Sequence, residues 1–502
     1  MKKKWLWIII VFVLFIILTG SLIILSLNKE KSTVETPNEE ESTIISPNVV
    51  LKKGSIKDVV LSNNPYLETN GNGCVISNDD NYSYMGGCYF KGYPVNNFLW
   101  YSGFLWRIMG INADGSIRLI TDETVTSIPW GATGTAKNYE DSYVKDWLNN
   151  YFYNKLRGNE IIVDQTWCIK TTLFDSSTRE ECIDSLTKEP SKVGLITLDE
   201  FNLALGDPVS YLYIRQNQWT LTPYNSSRAW SVGWGYGFSN VDVFGGIRPI
   251  INVRAEAQIT GGDGSISSNW SNEKGPYILN EDKSTDITGR LSEKVTSGEY
   301  VLYAGKKYRV VDQDDAGVKL ILDGTAEIDE NSVNTMTYGN DNTFTTRSGV
   351  IQKLNGEILE WLVPSENSTD RAKLVTDYIW KQNFFDEGYS YRIAIEDGEP
   401  TIATQIATQS IVGLIRTGEM LSGQSSSVIT NGYKEVGGKN YASGYWSMTA
   451  HPNNRDIWFI NYDGTVEREI STSYRSFRPV IVIKNDIEII KGNGTWSSPY
   501  EI

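Results

Sequence analysis

The residues in this 502-residue chain whose types could do chemistry are few and scattered. There is one histidine, His451, in Thr449-Ala450-His451-Pro452-Asn453. No Ser-His-Asp arrangement forms around it, and a lone loop histidine is by default a surface residue. The four cysteines pair by spacing as Cys74 with Cys88 and Cys168 with Cys182. Closing loops of this size stabilises by ~3 kcal/mol on the chain-entropy account; the alternative is four inert thiols. No Cys-x-x-Cys or His/Cys cluster occurs, so zinc is unsupported. Asp312-Gln313-Asp314-Asp315-Ala316-Gly317, followed by Asp323, has the outline of a calcium loop. Ala316 stands where an oxygen ligand is needed and Asp323 replaces the bidentate Glu, so a hairpin turn between strands is expected. Glu200 and Glu419 recur at matching places, and capping of a helix accounts for Glu200. The expectation is of no enzyme, no metal and no cofactor.

Aromatic residues are the richer signal. In the stretch 219–253, Trp230, Val232, Trp234, Tyr236 and Phe238 alternate with Ser231, Gly233, Gly235, Gly237 and Ser239. Period-two alternation predicts one strand with its large residues on one face and a nearly bare face opposite. Aromatic faces stack on sugars and cations, the latter for ~0.5–2 kcal/mol each. The candidate ligand-binding residues are therefore Trp234, Tyr236 and Arg228, beside Trp219, in the first half of the chain. In the second half they are His451, Asn453 and Arg455, beside Trp446 and Trp458. Trp230 and Trp458 recur and are expected in the core, as are Arg248 and Arg478, each before a proline.

The elements that must position these residues come from an internal repeat. Trp100-Tyr101-Ser102-Gly103 returns as Leu302-Tyr303-Ala304-Gly305, and Trp147-Leu148-Asn149 as Lys353-Leu354-Asn355. Val193-Gly194-Leu195-Ile196 returns as Val412-Gly413-Leu414-Ile415. Gly262-Asp263-Gly264 before Pro276-Tyr277 returns as Gly492-Asn493-Gly494 before Pro499-Tyr500. The order is kept and the offsets lie between 202 and 230. Each repeat is predicted to run strands (98–109 and 116–121 in the first), a helix over 141–156, a second helix from Thr197 to Gly206, then more strands. Ahead of the repeats, 5–27 is an uncharged apolar run long enough to span a bilayer, which needs ~20 residues. Lys2, Lys3 and Lys4 favour a cytoplasmic N-terminus. The organisation expected is a cytoplasmic tip and transmembrane signal anchor over 1–27 and a disordered stalk over 28–60, rich in Glu, Ser, Thr, Pro and Lys. A first repeat with two disulfides over 61–280, a linker over 281–298 and a second repeat over 299–502 follow. With 46 basic and 61 acidic residues the net charge is −15, a poor balance for binding nucleic acid, and no nucleic-acid partner is expected.

Trp219-x-Leu221-Thr222-Pro223, Ala229-Trp230-x-Val232 and Gly246-Ile247-Arg248-Pro249-Ile250 together resemble a bacterial cell-surface domain of unknown function. Trp147-Leu148-Asn149 belongs to the same pattern. The layout is also similar to C-type-lectin-like and formylglycine-generating-enzyme-like domains, which close on a comparable Gly-Phe-Arg segment. The lectin calcium signature, Glu-Pro-Asn then Trp-Asn-Asp, is absent, and the second repeat has no cysteine for oxidase chemistry. The resemblance implies a scaffold that displays variable loops. The expected fold is thus α+β: two tandem C-type-lectin-like domains behind an N-terminal transmembrane helix. The expected location is the cell membrane, single-pass, with the C-terminal domains extracellular. The expected role is binding of an extracellular glycan or protein, the alternative being a structural envelope or pilin-like component with no small-molecule ligand.

Overall fold

The computed structural model describes residues 54–64, 73–76, 87–93, 96–132, 138–169, 187–205, 210–214, 216–233, 235–266, 274–279, 286–328, 335–384, 406–417, 419, 433–436, 439–442, 444–461 and 466–502. Two central sheets are built on one plan. In the first, Phe98–Tyr101, Phe104–Ile111 and Ile117–Thr121 form an antiparallel meander. Ile250–Val253 joins beside Ile117–Thr121, and Tyr277–Leu279 lies parallel to Phe98–Tyr101. The second has Tyr300–Tyr303, Lys306–Gln313 and Val318–Leu322 as its meander, flanked by Val480–Ile483 and, in parallel, Tyr500–Glu501. Five strands therefore recur in the same order and sense, each set with its own hydrophobic core. The opening hairpins show how the sequence dictates this. Ser102-Gly103 and Ala304-Gly305 all take positive φ (50°, 77°, 48° and 73°), as the mirror-image two-residue turns that match strand twist require.

The helices are where the apolar periodicity puts them. Tyr143–Trp147 continues as a π-helical turn, Leu148–Phe152, and ends in Tyr153–Lys155. The second repeat copies this with Gly349–Lys353, the π turn Leu354–Ile358 and Leu359–Leu362. Leu198–Leu203 carries the expected capping box between Thr197 and Glu200. At the matching place the second repeat keeps half the box: the Arg416 backbone N–H donates to Glu419 at 2.9 Å.

The expected fold needs correcting on two counts. Strand outweighs helix by more than two to one, so the molecule is mostly β rather than α+β. The strands foreseen after the second helix are there as Gln218–Asn225, Arg228–Val232, Tyr236–Asn240, Phe244–Ile247 and Ile250–Val253, joined by short rather than long connections. The anchor foreseen over 5–27 lies outside the described residues, and among those described no helix is long and apolar enough to cross a membrane. The helical stretch Tyr143–Lys155 reaches only about 20 Å at ~1.5 Å per residue, against a hydrocarbon core of ~30 Å. The single-pass anchor and the membrane location expected with it are withdrawn.

The folded chain also begins before residue 61. Ile56–Asn63 is a helix whose Ile56, Val59 and Val60 enter the first core, and Gly54–Ser55 pairs with Gln258–Gly261. Within 281–298, Gly289–Arg290 pairs with Glu488–Ile489 and Leu291 is buried in the second core. Cys74 and Cys88 are disulfide-bonded across neighbouring strands, with Cα atoms 5.4 Å apart. Cys168 is disulfide-bonded too, while Cys182 lies outside the described residues.

Candidate functional site

The aromatic run is a hairpin, not one strand. Arg228–Val232 and Tyr236–Asn240 pair antiparallel, with Trp230 opposite Phe238 and Val232 opposite Tyr236. They belong to a five-stranded sheet in which Tyr236–Asn240 is outermost, followed inward by Arg228–Val232 and Gln218–Asn225. On this sheet the rings of Tyr224 and Phe238 stack at 4.3 Å, only 7° from parallel. Trp230 meets both edge-on, at 5.3 and 5.8 Å. The Arg228 guanidinium lies 5.1 Å from the Phe238 ring centre, and its Nε reaches Asn240 at 3.4 Å. Tyr224, Phe238 and Tyr236 remain 46%, 43% and 52% exposed. Trp234 lies outside the described residues.

Beneath this patch the sheet is sealed. Trp219 is buried and donates its indole N–H to the Ile128 carbonyl at 2.9 Å. Trp446 is buried at the same point of the second repeat and donates to the Met336 carbonyl at 3.0 Å. Neither can touch a ligand. Arg248 and Arg478 are also fully buried, each donating its Nε–H to the carbonyl at the end of a central strand, Thr121 or Leu322. Burial pulls the Arg248 pKa down to about 10.

The second repeat has the same three-stranded unit, Tyr445–Ala450, Asp456–Ile460 and Val466–Ile470, in the same order. Register puts Trp458 opposite Arg468, as Trp230 is opposite Phe238. His451, which follows Ala450 as Tyr224 follows Pro223, sits where Tyr224 does, and its Nε2 lies 2.9 Å from Arg468 Nη1. An aromatic pair in one copy is thus a His–Arg pair in the other. Trp458 is buried and meets Phe244 of the first repeat at 5.4 Å. Asn453 shapes the turn: its side-chain oxygen accepts from the Arg455 and Asp456 N–H groups, and its amide donates to Asp456. Arg455 is 69% exposed and 3.5 Å from Asp456.

Sequence reasoning missed a cation–carboxylate cluster in each repeat. In the first, Arg118 forks onto Glu200 at 2.5 and 3.1 Å, with its guanidinium 4.9 Å from Trp167, and the pair is almost wholly buried. In the second, Lys319 takes the place of Arg118 and donates to Glu419 at 2.7 Å, joined by Arg416 at 3.0 Å. Lys319 lies 5.4 Å from Tyr378 and 5.8 Å from Trp380. This cluster opens into a cleft of about 780 Å³ whose lining includes Tyr151 and Lys155 of the first repeat. Burial pushes the Glu419 pKa up, but Arg416 and Lys319 outweigh it and hold the carboxyl well below the usual range. Burial lowers that of Lys319, and Glu419 with Tyr378 more than restores it, so the amine stays protonated. Tyr378 is pushed up to about 12, chiefly by burial. A carboxylate so held has no proton to give and, shared by two cations, is a poor base, which disfavours acid–base catalysis there. The signal for these clusters was present: Arg118 and Lys319 occupy one step of the repeat, and so do Glu200 and Glu419.

No protein-family model, no curated protein and no solved structure matches this chain.

Proposed function

We propose that this chain is a binding protein whose ligand is a glycan, engaged by the first-repeat face of Tyr224, Phe238 and Tyr236 with Arg228 and Asn240 alongside. The observation that carries this reading is where the exposed apolar side chains fall. Four of the nine strongly exposed ones among the described residues, Tyr224, Tyr236, Phe238 and Val243, lie within residues 224–243. Tyr224, Tyr236 and Phe238 stand on one sheet, with Val243 in the bend beside it, and such concentration marks an interaction surface, whereas scattered apolar residues mark nothing. Flat rings offer their faces to the C–H side of a sugar, while the guanidinium and amide beside them suit its hydroxyls.

A glycan array probed with the full chain tests this. Saccharide retention should fall about tenfold in Tyr236→Ala, which removes an exposed ring and leaves stability within ~0.5 kcal/mol. Absence of any retained glycan, or retention indifferent to Tyr236→Ala and Phe238→Ala together, would sink the reading.

A further inference from the structure

The two copies treat one pair of positions in opposite ways. Trp167 and Trp380 match, each packed on the glycine of the repeated Val-Gly-Leu-Ile. Counted from them, Asp164 corresponds to Asp377 and Cys168 to Lys381. In the first repeat both places are taken up: Asp164 is ion-paired with Lys192 at 3.0 Å, and Cys168 is disulfide-bonded. In the second, Ile411 stands where Lys192 does, directly before Val412, so the carboxylate has kept its place and lost its cation. Lys381 replaces the cysteine. Asp377 and Lys381 are exposed, and among the described residues neither side chain has a partner.

Both line the cleft of about 780 Å³, a volume suited to a small ligand. The other charged side chains of its lining are engaged. Lys155 meets Asp312 at 3.0 Å, and Asp314 accepts from the Tyr378 hydroxyl at 2.9 Å. Glu419 holds Lys319 at 2.7 Å and Arg416 at 3.0 Å. The charges left to meet a ligand are therefore one carboxylate and one ammonium. Ile379 stands between them on the same wall and is 56% exposed. An acid, an apolar side chain and a base thus follow at alternate positions, and four residue steps set the two charges at most about 14 Å apart along the backbone.

We propose that this cleft binds a short peptide with free ends, its ammonium at Asp377, its carboxylate at Lys381 and an apolar side chain on Ile379. Such a ligand complements the wall in order, with opposite charges meeting at both ends. A single amino acid carries both its charges on one carbon and cannot reach the two ends together. An extended tetrapeptide spans about 13 Å and does. The first repeat cannot act likewise, because Lys192 and a disulfide already occupy the matching groups.

The test is calorimetric titration of the full chain with the tetrapeptide Ala-Leu-Leu-Ala. Affinity should fall at least about fivefold in Asp377→Asn and in Lys381→Gln, both exposed changes that leave the fold in place. Acetylating the amino end of the peptide should cost as much and make binding indifferent to Asp377→Asn. Amidating its carboxyl end should do the same for Lys381→Gln. Binding should also weaken as salt is raised. No binding of millimolar peptide, full affinity in either variant, or blocked peptides that bind as well as the free one would each overturn the proposal. Tyr236 is no part of the cleft, so peptide binding and glycan retention succeed or fail separately.

Discussion

Asn149 should carry a large share of its repeat's polar stabilisation. Its amide donates to the Lys145 and Val193 carbonyls, both at 3.0 Å, and its oxygen accepts from Lys192 N–H at 3.1 Å and Val193 N–H at 3.0 Å. One side chain thereby ties the π turn of the helix to the strand Val193–Gly194. Asn355 does the same with Ile351, Val412 and Ile411, at 2.9–3.1 Å. A hydrogen bond contributes about 0.5–1.5 kcal/mol net, so four of them lost in Asn149→Ala come to roughly 4 kcal/mol. At ~1.4 kcal/mol per decade that is about a thousandfold in a local opening equilibrium. Native-state hydrogen exchange reads it directly: protection at Val193 should drop by about that factor, with Val412 little changed. Asn355→Ala should give the converse, and the double variant should sum the two, because the sites lie in different cores. A drop of less than tenfold at Val193, or an equal drop at Val412, would refute the claim that each Asn pins its own repeat.

Gly194 and Gly413 face the rings of Trp167 and Trp380, where an added Cβ would stand 2.6 and 2.3 Å away. Gly413→Ala should lower the denaturation midpoint by an amount worth about 1–3 kcal/mol, while Gly356→Ala, which meets nothing within 4 Å, should be neutral or stabilising. A harmless Gly413→Ala would contradict the packing described. For Glu419 the sign of the pH dependence follows from its lowered pKa: its stabilisation is present above the unfolded value of about 4.3 and lost as pH falls through the folded one. Glu419→Gln should therefore cost about 3–5 kcal/mol near neutrality, by leaving Lys319 and Arg416 buried beside a neutral amide, and the gap to wild type should shrink on acidification. A gap in denaturant stability that stays constant from about pH 6 to about pH 3 would remove Glu419 as its source.

How much of this was legible depends on the reach of each interaction. The paired segments of the repeat were legible, because duplicated sequence must make duplicated strands, and Trp147-Leu148-Asn149 stood out for the same reason. The aromatic run misled for a reason of parity. Val232 stands opposite Tyr236, four positions on, so the alternation passes through the hairpin without losing phase. Two strands then look like one. Glycines at 233 and 235 were the available sign of a turn. Arg118 and Glu200 stand 82 residues apart, and no local pattern joins them. Capping was a sufficient local account of Glu200, and so it hid the buried partner. The helix over 141–156 was legible as well, because Val144, Trp147, Leu148 and Tyr151 face one way, and Tyr143–Lys155 is helical throughout.

The two copies show which positions the architecture holds and which it releases. Trp219 and Trp446, Asn149 and Asn355, Gly194 and Gly413, and Arg248 and Arg478 each keep one residue type in one environment. Away from these the copies part in opposite directions. The first seals its cation–carboxylate pair, with Arg118 and Glu200 3% and 4% exposed, and leaves its outer strand aromatic and uncharged. The second charges its outer strand and, with Lys319 and Arg416, opens the same pair toward a cleft. A ligand that needs ring faces meets them on the first copy, because the second places His451 and Arg468 where Tyr224 and Phe238 stand. The duplicated core is thus kept while the outer strands differ, Tyr236–Asn240 uncharged and Val466–Ile470 carrying Glu467, Arg468 and Glu469.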